Sequence, residues 1–102
     1  MVLLSVLLGL QLVAANAADQ VPSLDIGPGC RATVDTAGMS EQACVSDEQA
    51  AHASLSKVWS QFAANDKAMC VDQTRNYNPS YVELLTCLEL MRDARIPYRP
   101  GP

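Results

Sequence analysis

The chain has 102 residues, 49% of them hydrophobic and 18% charged, with a formal net charge of −4. That length allows one domain at most. The mild acidity favours solubility and argues against a nucleic-acid partner, whose phosphates demand a basic face.

Residues 1–17, MVLLSVLLGLQLVAANA, are apolar from Val2 to Ala15 apart from Ser5, Gly9 and Gln11. The run is shorter than the roughly 20 residues that span a bilayer. It ends in Ala15-Asn16-Ala17, small residues at the two positions a signal peptidase reads. A signal peptide cleaved after Ala17 is therefore expected, ahead of a retained signal anchor and of a buried N-terminal helix. No Lys or Arg precedes Arg31, so the positive charge of such a segment comes from the amino terminus or from a start codon further upstream.

The remaining 18–102 form a small domain with an ordered core expected at about 30–96. Residues 18–29 read as an extended lead-in, with a short helical turn at Ser23–Ile26 and with Gly27-Pro28-Gly29 as a helix breaker. A short helix is expected from Cys30 to Thr36, stopped by Gly38. The first main helix is predicted from Asp47 to about Ala63. Ser46 would be its N-cap, Gln49 would complete a capping box, and Asp47 and Glu48 would sit in the first turn, where the helix dipole favours negative charge. Ala51, Leu55, Val58, Trp59 and Phe62 share one helical face. A short helix from Asp66 to about Gln73 and a loop over Thr74–Asn78 follow.

The second main helix lies within Asn78–Arg95. Pro79 suits a first turn, and Ser80 with Glu83 makes a second capping box. Tyr81, Leu84, Leu85, Leu88, Met91 and Arg95 fall on one stripe, with Cys87 at its edge. Arg92, Arg95 and Arg99 near its end serve the dipole and solvation, with anion binding a remote alternative. Pro97, Pro100 and Pro102 mark an irregular tail. The fold class is small all-α: two amphipathic helices plus short ones.

Cys30, Cys44, Cys70 and Cys87 lie 14, 26 and 17 residues apart. Zinc sites usually contain a closer pair, and no Cys-x-x-Cys redox motif occurs. An even count in a short exported chain points to two disulfides. The preferred pairs are Cys30 with Cys44 and Cys70 with Cys87. The nested pattern, Cys30 with Cys87 and Cys44 with Cys70, is kept open. Each preferred loop would contribute roughly 3 kcal/mol.

His52, the sole histidine, reads as a solvated surface group. Glu48 one turn earlier could pair with it, but Ser56 one turn later is an ordinary surface serine, so no catalytic site is expected. Met39, Met69 and Met91 with His52 could be imagined as a Cu(I) site, yet methionines at helical positions usually fill core gaps. Trp59 and Phe62 read as core anchors rather than an exposed ligand platform. No cofactor or metal is expected.

On the stretches DEQAA (Asp47–Ala51), Trp59 and PSYVELLTCLE (Pro79–Glu89), the chain resembles a group of small exported bacterial proteins of alphaproteobacterial type. The resemblance covers most of residues 18–102 and is weakest before Cys44. It implies a periplasmic protein and brings no activity with it. The expected function is a non-catalytic, disulfide-stapled periplasmic or secreted interaction module. Its partner would be a protein or the envelope, and a membrane only if the N-terminal segment is retained. A periplasmic acid-stress chaperone is the alternative, and a small metal carrier or enzyme comes last.

Overall fold

A computed structural model describes residues 20–95. It contains α1 (Gly27–Ala37), α2 (Glu41–Val58), a 3-10 turn (Trp59–Gln61), α3 (Ala64–Tyr77) and α4 (Tyr81–Ala94). Among the described residues there is no strand, so the all-α class stands. The expected signal segment and its cleavage point, Arg99 and the proline tail lie outside the described residues.

Four sequence expectations are corrected. Gly27-Pro28-Gly29 does not break a helix but opens α1, with Pro28 in the first turn. A proline there forfeits an N–H that has no helical partner anyway. The segment Ser23–Ile26 is not helical. It belongs to a strap that lays Leu24 into the core and flanks it with half-buried Val21 and Ile26. The packed chain thus begins ahead of Cys30.

The third correction concerns α2, which starts at Glu41 rather than Asp47. Its N-cap is Ser40, whose Oγ accepts from the Ala43 N–H at 3.0 Å. Cys44 therefore lies within the helix and not before it, and Ser46 is an exposed interior residue. Fourth, α3 runs on through the expected loop to Tyr77. Buried Thr74 explains the extension. Its Oγ accepts from the Ser80 N–H at 3.1 Å and lies 3.3 and 3.2 Å from the Asn78 and Ser80 carbonyl oxygens, shrinking the connection to Asn78–Ser80. As expected, Gly38 ends α1, in the left-handed conformation at φ 67° that glycine adopts without steric cost.

α4 packs against both α2 and α3, while α1 packs on α2. Leu55, Leu84 and Leu88 are fully enclosed, with Ala51, Trp59, Phe62, Tyr81 and Cys70 around them. Burying each leucine is worth roughly 1.5–3 kcal/mol. The preferred disulfides are the ones present. Cys30–Cys44 joins α1 to α2 and Cys70–Cys87 joins α3 to α4, with Cα separations of 5.4 and 5.8 Å. No cysteine is left free. Such bridges persist in oxidising compartments outside the reducing cytosol. No helix of the described residues is long and apolar enough to cross a membrane.

Candidate functional site

Two features stand out: a buried polar node where α2 meets the start of α4, and an open groove between α3 and α4.

The node is centred on Glu48, only 6% exposed. Its Oε2 accepts from the Ser80 hydroxyl and its Oε1 from the Tyr81 N–H, both at 2.5 Å. Ser80 Oγ in turn accepts from the Glu83 N–H at 3.1 Å, capping α4 as expected. The reciprocal half of the expected capping box is replaced, because the Ser80 N–H goes to Thr74. Pro79 lies before the cap rather than in the first turn. Glu48 thus supplies a carboxylate to the N-terminus of a neighbouring helix, where the dipole stabilises negative charge. It is neither a surface acid nor the partner of His52. The imidazole instead stacks on Tyr81, ring centroids 4.3 Å apart. The Tyr81 hydroxyl accepts from the Leu24 N–H at 2.8 Å and so fastens the strap.

Sequence reasoning missed this role, although a signal was present. Glu48 lies three residues before Ala51 and seven before Leu55, on the apolar stripe itself. Asp66 was missed in the same way. It is 3% exposed and shares a stripe with Cys70 and Thr74. Its Oδ1 accepts from Arg95 Nη2 at 2.6 Å, so Arg95 closes the far end of the α3–α4 seam rather than only serving the dipole. Arg92 sits 5.5 Å from the Phe62 ring, and Lys67 sits 5.1 Å from the Trp59 ring. Trp59 and Phe62 are core anchors, at 6% and 5% exposure. The Trp59 Nε1 is buried and finds no hydrogen-bond partner among the described residues.

The residues weighed as a copper site are not brought together. Met39 lines a crevice beside Cys30 and Cys44, Met91 lines the α3–α4 groove, and Met69 is exposed on α3. Among the described residues, no group of three or more His, Cys, Asp or Glu is placed to hold a metal ion.

The groove has a volume of about 610 Å³. Cys70 and Cys87 cross-link its walls, Met91 lines one part, and Glu83 is the sole charged lining residue among those described. Tyr77 and Leu90 border it at 84% and 65% exposure, the largest values for large hydrophobic residues among those described. Two apolar side chains left in water on one covalently fixed groove can bind apolar groups with little reorganisation.

Set against protein-family models, curated proteins and solved structures, the chain matches none of them.

Proposed function

We propose that this chain is a non-catalytic, disulfide-stapled interaction module of the periplasm or extracellular space, of the type its sequence resembles. Its partner is a protein or the cell envelope, and its contact surface is the α3–α4 groove. One observation carries the reading: Tyr77 and Leu90 stand exposed on a groove whose walls are cross-linked by Cys70–Cys87. The buried polar groups support it from the other side. Glu48 and Thr74 spend their oxygens on holding helix ends, which is structural employment. The test is affinity capture from the periplasm with the protein and its Leu90→Ser variant side by side. A partner retained by the first and lost by the second supports the reading. Turnover of a substrate that depends on a named residue overturns it. Intact mass of the recovered protein should show a chain beginning at Ala18.

The alternative, an acid-stress chaperone, draws on one specific feature. Buried Glu48 and Asp66 hold α4 at both ends as hydrogen-bond acceptors. Carboxylates as a class gain protons below pH ~4, and the chain has 11 of them against 7 Lys and Arg. Suppression of client aggregation at pH 2–3 but not at pH 7 would favour that role.

A further inference from the structure

We infer that the α3–α4 groove is a binding site for a single-chain amphiphile with a cationic head, the head lying at the α3–α4 turn and the aliphatic chain running towards Leu90 and Met91. This deepens the interaction reading and rests on it for the choice of surface. What it adds is the chemical class that the surface takes.

The first reason is size. At about 610 Å³ the groove falls within the roughly 300–1,000 Å³ of pockets that take one small molecule. Glu83 and Leu90, which line its two ends, lie roughly 10 Å apart along α4 at 1.5 Å per residue. With C–C bonds of about 1.5 Å an extended chain advances roughly 1.25 Å per carbon, so about eight carbons cover that distance.

The second reason is polarity, which changes along the groove. Leu90 and Met91 line the end away from the turn, and the Cys70–Cys87 bridge, which carries neither charge nor donor, crosses between the walls. These surfaces suit methylene groups. The turn end differs. Tyr77, the last residue of α3, presents a ring there that is 84% exposed. Glu83 lines the same end from the first turn of α4. An aromatic face near a carboxylate is the pairing that holds an ammonium group.

The third reason is charge. Asn78 and Glu83 line both this groove and the crevice that holds Cys30 and Cys44, so the two spaces meet at the turn. The crevice adds Asp47 and Glu48. Among the described residues, no Lys, Arg or His lines either space, and none of the three carboxylates is in an ion pair. Glu48 spends its oxygens on α4, yet its charge still adds to the field at this end. One end of the groove is therefore negative and the other neutral. A cationic head is drawn to the first and an anionic head is turned away.

The test is amide chemical-shift titration of the isotope-labelled, oxidised protein as recovered from the cell. The probes are octyltrimethylammonium, octyl glucoside and octyl sulfate, each below its micelle concentration. Expected are shifts at Tyr77, Glu83, Cys87 and Leu90, with the cationic probe bound several-fold more tightly than the neutral one and the anionic probe weakest. Glu83→Gln should bring the cationic probe to within about twofold of the neutral one, whose own affinity reports that the groove survives. Asp35→Asn makes the same change of net charge on an exposed residue of α1 that lines neither space, and it should leave the preference intact. Leu90→Ser should weaken all three probes several-fold. Silent groove amides, equal affinity for the three heads, or a preference lost equally in Asp35→Asn overturn the proposal. So do groove shifts with vesicles of an amine-headed lipid but with no free probe, which would make a membrane surface the ligand. Silent groove amides beside a Leu90-dependent captured partner sink the ligand class alone. Head-selective groove binding with no captured partner sinks the protein-partner reading alone.

Discussion

At one end of the molecule Cys30–Cys44 ties α1 to α2, and α1 contributes a single buried residue, Cys30 itself. At the other end Cys70–Cys87 ties α3 to α4 beside a core that already holds Leu84 and Leu88. The loops are of similar length, with sequence separations of 14 and 17, so loop entropy alone would give both bridges nearly equal weight, roughly 3 kcal/mol each. Their surroundings separate them. One bridge fastens an element with little packing of its own. The other reinforces packing that forms around it, and it also holds the groove open.

The largest effect should come from Cys70→Ala/Cys87→Ala. Denaturant unfolding should show a loss of about 3 kcal/mol, with all helices melting together. A loss confined to α3 would break the comparison. Glu48→Gln comes next, at about 2 kcal/mol, because it removes charge from an acceptor of two hydrogen bonds. Glu48 joins α2 to α4, and the crevice it lines also holds Cys30 and Cys44. Its loss should therefore lower amide protection in the first turn of α4 before it touches α3.

Cys30→Ala/Cys44→Ala should cost about 1–2 kcal/mol overall, less than its loop length implies. α1 would open locally instead of taking the core with it. Hydrogen exchange checks this directly: α1 amides should lose protection while those of α4 keep it. The smallest effect is expected for Gly29→Ala. A methyl group there would meet Asn78 Oδ1 at 2.6 Å, but that atom ends an exposed side chain that can swing away. The helix also gains about 0.5–1 kcal/mol from alanine over glycine. Thermal melting should place the variant within about 0.5 kcal/mol of the parent. A clearly larger loss would mean that α1 is seated on the α3–α4 turn more firmly than Cys30 alone provides.

Much of this was legible in the residues. Ser80 announced itself as a cap, Gly38 as a stop, and the apolar stripes on α2 and α4 placed Leu55, Leu84 and Leu88 inside. The chain order of the helices favoured the cysteine pairs that are present, Cys30–Cys44 and Cys70–Cys87, without excluding the nested pattern. The errors came where local signals competed. Ser46 makes a capping box with Gln49 on sequence alone. The helix nevertheless starts at Ser40, and its first turn then carries Cys44 to Cys30. Thr74 looked like the start of a loop because its hydroxyl competes for backbone hydrogen bonds. That competition is what it performs, but across the turn to Ser80 and from within α3. Glu48 was read by its charge and Asp66 only as the start of a short helix, when their periodicity already placed both on buried faces. The groove was not legible at all, since it depends on the lateral spacing of two helices and not on the pattern of either.

The solitary indole of Trp59 has a consequence for how this molecule can be watched. It is the only tryptophan in the chain, enclosed in the core, with its N–H unpaired among the described residues and a lysine ammonium facing its ring. An indole shielded from water emits towards the blue and shifts red when solvent reaches it. The fluorescence of the native protein therefore reports, without any label, on the 3-10 turn that links α2 to α3. Every transition that opens this junction will be visible by its colour, while opening of α1 alone will leave the emission dark to the event.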